Sequence, residues 1–167
     1  CLFTAPSFAD DESDSDLTME DRITNVVSLM EQLPDGAQKK IREEGADIQY
    51  RCNDKDLYSQ LHNCECIMVR FIELRLKYGP DESRDNILDE LSKTCVSSEG
   101  AAGYGYQKCH RIYGSSQNDG DERTEEEFCS CFGNKFSKFY QEVPSSDYFH
   151  IEKLFTLARQ ECNFIRR

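Results

Sequence analysis

Apolar residues recur at helical spacing along nearly the whole of this chain. Thr18 can cap a helix in which Met19, Ile23, Val26, Val27 and Met30 share one face, and the turn chemistry of "LPDG" at 33–36 stops it. Residues 37–50 read as a weaker helix, with Ile41 and Ile48 apolar and Gly45 a break. The strongest helical pattern runs over 56–77, with Leu57, Leu61, Cys64, Met68, Phe71, Ile72 and Leu76 inward. "YGPD" at 78–81 ends it and opens a return helix over 82–95, whose Ile87, Leu88 and Leu91 share a face.

"SSEGAAGYG", residues 97–105, reads as a Gly-rich linker between two units. Beyond it, "YQKCHRIYG" reads as a short helix and 115–123 as a polar loop. Thr124 and Glu127 form a capping box heading a helix over 125–142. Its stripe of Phe128, Phe132, Phe136, Phe139 and Tyr140 reads as core. Pro144 closes it, and a last helix over about 147–165 presents Ile151, Leu154, Phe155, Ala158 and Cys162. No segment has strand periodicity, so the expected fold is all-α.

The cysteines give this pattern an internal repeat. The first half reads Cys52, Cys64-Glu65-Cys66, Cys95; the second reads Cys109, Cys129-Ser130-Cys131, Cys162. A proline falls 14 residues after Cys66 (Pro80) and 13 after Cys131 (Pro144). Each half is a lone cysteine, a Cys-x-Cys in a long helix, a proline turn and a return helix ending in cysteine. The expected organisation is an N-terminal arm (1–17), a first four-cysteine unit (18–96), the linker (97–105) and a second four-cysteine unit (106–167), each unit built around a helical hairpin.

Residues i and i+2 of an α-helix point about 200° apart. The two sulfurs of a helical Cys-x-Cys therefore cannot pair with each other. One can reach the cysteine ending the return helix, the other the segment before the long helix. Cys52 and Cys95 are expected to pair with Cys64 and Cys66, and Cys109 and Cys162 with Cys129 and Cys131, leaving open which takes which. Closing a loop of about 30 residues stabilises by roughly 3–4 kcal/mol on the entropic account. Units this small need such staples. A four-thiolate zinc set of Cys52, Cys64, Cys66 and Cys95 beside His62 is the rival reading. Structural zinc sites favour cysteines two to four residues apart in a turn, so no metal is expected.

Composition narrows the chemistry further. Nine cysteines among 167 residues indicate disulfides in an oxidising compartment. "CLFTAPSFA" followed by "DDESDSD" resembles the tail of a secretory signal peptide running into a disordered acidic arm. Cleavage after Ala9 would remove Cys1, the odd thiol. A net charge of −12 disfavours nucleic acid and anionic membranes as partners. No apolar run approaches the roughly 20 residues of a membrane span, so a soluble chain is expected. No Asn-x-Ser/Thr sequon occurs. His62, His110 and His150 sit apart in sequence, without a nucleophile motif, and read as surface or boundary residues. No Cys-x-x-Cys redox motif and no phosphate-binding Lys-Ser/Thr after "GAAGYGY" is present. No enzyme, cofactor or catalytic residue is expected.

The paired motifs Cys64-Glu65-Cys66 and Cys129-Ser130-Cys131, spaced over residues 50–167, resemble the bicycle proteins of gall-forming aphids, named for two Cys-Tyr-Cys-like motifs. Here the middle residue is Glu or Ser rather than Tyr. The resemblance implies a salivary secretion injected into plant tissue, acting as an effector through a host plant protein bound at its surface. It implies no catalytic residues. A secreted helical carrier of a lipid or odorant-like ligand is the alternative. An intermembrane-space hairpin protein is a third, whose usual cysteine pairs, three or nine residues apart, are missing.

Overall fold

A computed structural model of the chain describes residues 17–54, 56–116, 122–145 and 147–164. The expected signal remnant with Cys1, most of the acidic arm and the middle of the 115–123 loop lie outside the described residues. The described residues form helices α1 (Met19–Glu31), α2 (Asp35–Asp54), α3 (Asp56–Leu61), α4 (Cys64–Tyr78), α5 (Arg84–Thr94), α6 (Ser98–Ser116), α7 (Glu125–Glu142) and α8 (Tyr148–Phe164). Strand-like pairing among them is an isolated bridge between His62 and Val96. The protein is all-α.

Capping boxes start α1 and α7: Thr18 and Thr124 each accept from the backbone N–H three residues on, and the side chains of Asp21 and Glu127 answer. The buried face of α1 differs from expectation. Arg22, Val26 and Met30 point inward, while Ile23 and Val27 are exposed. Two overlapping rows were available at helical spacing, and an ion pair chooses between them. Arg22 donates from one guanidinium nitrogen to both oxygens of Glu73 on α4, each at 3.1 Å, and Arg70 also reaches Glu73 at 2.7 Å.

Gly45 does not break α2 but lies buried within it. A Cβ there would meet Ile72 at 3.0 Å, so the glycine lets α2 lie close along α4. The two run antiparallel, tied by Cys52–Cys64 at one end and by Glu44–Arg75 at the other.

The expected single helix over 56–77 divides at His62–Asn63. Asn63 caps α4, its side chain accepting from the Cys66 N–H at 3.0 Å, while its own N–H donates to the Cys95 carbonyl at 2.9 Å. The Ser97 N–H bonds back to the Leu61 carbonyl at 2.9 Å. This pairing with residues 95–97 satisfies the backbone that the break would leave bare, and it places Cys64 at the first position of α4. Gly79, at φ +86°, turns the chain toward α5.

Residues 97–105, expected as a linker, belong almost wholly to α6. Small residues serve there for close approach, not flexibility. A Cβ on Gly100 would lie 1.9 Å from the Gln60 carbonyl oxygen. One on Gly133 of α7 would lie 2.5 Å from that of Ala102, and one on Gly105 would meet the Gly133 Cα at 3.1 Å. α6 and α7 therefore cross almost backbone to backbone, in contact from Ser98–Ser137 to Cys109–Cys129. The Leu61 end of α3 joins the aromatic core of this second half, a cluster built on Phe128, Phe132, Phe136, Tyr140 and Phe155. A second cluster surrounds Ile67, Phe71, Ile87 and Leu91, and a third lies under α1.

Candidate functional site

The eight cysteines read from the sequence are joined as Cys52–Cys64, Cys66–Cys95, Cys109–Cys129 and Cys131–Cys162, with Cα separations of 5.7, 5.6, 5.4 and 6.0 Å. In both halves the first cysteine of Cys-x-Cys takes the lone cysteine that precedes it in the chain, Cys52 on α2 and Cys109 on α6. The second takes the cysteine that ends the return helix. The alternatives left open by spacing are thus decided the same way twice. The divergence of i and i+2 sends the two sulfurs to opposite sides, and the way each helix is turned decides which side is which: Cys64 and Cys129 face α2 and α6, whereas Cys66 and Cys131 face α5 and α8. Cys66 and Cys131 are half-buried and the other six are buried. A disulfide sulfur is not a thiolate, so the four-cysteine zinc set has no ligands to offer in this oxidised form. Among the described residues no group of His, Cys, Asp and Glu is arranged to hold a metal ion. No described helix is long and apolar enough to cross a membrane.

Two buried polar constellations were not legible from the sequence. Arg75 of α4 binds both Glu44 oxygens, at 3.1 and 2.8 Å, and donates to the carbonyls of Gly79 at 3.2 Å and Glu82 at 2.7 Å. It thereby holds α2 and the turn into α5 together while lying over the Phe71 ring. The apolar periodicity that places Phe71 inward says nothing of this arginine.

His62, expected at a surface or boundary, is only 3% exposed. It stacks on Tyr58 at 4.1 Å and meets Tyr140 edge-on. Its Nδ1 lies 3.2 Å from the Tyr58 carbonyl and its Nε2 3.1 Å from the Ser92 carbonyl, with the Tyr140 hydroxyl 3.3 Å from Nε2. Burial holds the imidazole below its ordinary proton affinity, against the opposing pull of the two carbonyls. Burial likewise pushes the Tyr140 phenol well up. His62 therefore sits where α3, α5 and α7 converge, bridging the two halves. The other histidines are nearer the surface: His110 pairs with Glu125 and His150 with the Val143 carbonyl.

Two of the surface grooves among the described residues lie between helices. One, of about 570 Å³ between α6 and α7, is lined by polar and charged side chains including Glu99, Asn134 and Lys138. The other, of about 540 Å³, runs between α2 and α5 over an apolar floor of Ile48, Ile67 and Leu88, with Tyr58 at one side and Arg51 and Asp85 on its rims. At its end Asp47 receives Arg84 at 2.8 Å and Arg51 at 3.0 Å, which hold its carboxyl below the usual range, Arg84 first. A separate exposed patch, Val143, Tyr148 and Phe149, marks the turn between α7 and α8. The chain matches no protein-family model, no curated protein and no solved structure.

Proposed function

We propose that this chain is a secreted, non-enzymatic effector, similar to aphid salivary proteins delivered into plant tissue, that alters host development by binding a host protein through its surface. The observation that carries the reading is the doubled Cys-x-Cys, paired in one order in both halves of an all-helical chain. Four covalent links suit a small protein that works outside the cell. The filled aromatic core and the open grooves rimmed by charge favour recognition at the surface over enclosure of a lipid.

Immunolocalisation tests this in the animal that makes the protein and in the plant tissue it feeds on. The reading expects signal in the salivary gland and at the feeding site. Protein confined to haemolymph or antenna would contradict it and favour the carrier.

A further inference from the structure

The two halves can be compared position by position from their cysteines. Arg51 precedes Cys52 as Lys108 precedes Cys109, and Asp47 and Tyr104 each stand five residues before those cysteines. Ile67 follows Cys66 as Phe132 follows Cys131. Counting back from Cys95 and Cys162, Asp85 corresponds to Glu152 and Leu88 to Phe155.

In the second half these positions close the space between α6 and α8. Phe155 is buried, its ring 5.7 Å from Tyr104, 5.8 Å from Phe132 and 4.4 Å from Phe136. Lys108 lies over that ring at 5.3 Å and pairs with Glu152 at 2.9 Å. An aromatic plug with a cation above it, held by a carboxylate, thus fills the space.

In the first half the same positions leave it open. Leu88 is short of Phe by most of a ring and stays half-buried. Arg51 and Arg84 line the groove but are both drawn to Asp47, at 3.0 and 2.8 Å, so neither is paired with Asp85 as Lys108 is with Glu152. Asp85, the counterpart of Glu152, is exposed and has no side-chain partner among the described residues. The groove of about 540 Å³ stands where the other half carries its plug.

We infer that the groove between α2 and α5 is a docking site for a segment of a partner protein that presents an aromatic side chain beside a lysine or arginine. The aromatic ring takes the place that Phe155 fills in the second half, over Ile67 and against Leu88 and Tyr58. The basic side chain takes the place of Lys108 and pairs with Asp85. The chain's net charge of −12 favours approach of such a basic segment. This inference rests on the proposed surface-binding function and names the chemistry of its partner.

The test uses the full disulfide-bonded chain, isotope-labelled, titrated by NMR with acetyl-Lys-Phe-Lys-amide. Saturable shifts centred on Arg51, Tyr58, Leu88 and Ser92 are expected. The peptides acetyl-Lys-Ala-Lys-amide and acetyl-Glu-Phe-Glu-amide should bind about tenfold more weakly or worse. Leu88→Phe, which installs the plug, should weaken binding about tenfold, and Asp85→Asn about threefold, as for an exposed ion pair. Asp85 is a surface position, so its variant keeps the test decisive if Leu88→Phe disturbs the fold.

Equal binding by folded wild-type and Asp85→Asn protein, or shifts centred on Phe149, would overturn the inference. So would phenethylammonium binding as tightly as the peptide, since the site would then serve a small molecule. No binding by a protein found in saliva would remove the groove and leave the proposed function standing. Binding by a protein confined to haemolymph would do the reverse.

Discussion

His62 shows how one side chain couples the two halves of this molecule. Its ring is packed between Tyr58 and Tyr140, with carbonyls of α3 and α5 at its two nitrogens. Because burial lowers its proton affinity from the ordinary 6.5, the unfolded chain takes up a proton that the folded chain refuses as pH falls. Its contribution to stability is therefore complete above about pH 6.5 and is lost progressively below it. Urea unfolding at pH 7.5 and 5.5 should show wild-type protein losing stability on acidification, by at most about 1.4 kcal/mol per pH unit from this group. His62→Gln should lose less than wild type over the same interval. A parallel loss in both proteins would show that His62 does not titrate as described. Nothing in "LHNCEC" distinguishes this histidine from His110, because the difference lies in Tyr140, 78 residues away.

At the scale of helices, periodicity is enough to place α5, α7 and α8 within a few residues, since each buries an apolar stripe. It failed where a partner outside the element decides. The 56–77 pattern is continuous in apolar residues, yet Asn63 caps a new helix because residues 95–97 supply the competing hydrogen bonds. "GAAGYG" has the composition of a linker, but its meaning depends on Gly133, far along the chain on α7. Gly133→Ala should destabilise by about 1–3 kcal/mol, because its Cβ would come to 2.5 Å from the Ala102 carbonyl oxygen. Gly36→Ala in the first turn of α2 meets nothing within 4 Å and should instead stabilise by about 0.4–1 kcal/mol. Thermal or denaturant unfolding of the two variants checks the pair. A neutral Gly133→Ala would mean that α6 and α7 do not cross as closely as described.

For the molecule as a whole, the cysteines carry the most information in the sequence and also mark its limit. Their order marks two corresponding halves, and helix geometry forbids pairing within Cys-x-Cys. Choosing between partners needs the direction in which each sulfur leaves its helix, which spacing alone does not contain. The groove between α2 and α5 was equally hidden, since it arises from the difference between Leu88 and Phe155 in matched positions. Both the proposed function and the docking inference rest on one oxidised framework repeated in the same order.

Mass-spectrometric mapping of peptides from the unreduced protein tests that framework most directly. It should recover Cys52–Cys64, Cys66–Cys95, Cys109–Cys129 and Cys131–Cys162, with none of these eight thiols free to alkylate. Cys52–Cys66 or Cys64–Cys95 linkages, a different order in the two halves, or free thiols at these positions would contradict it.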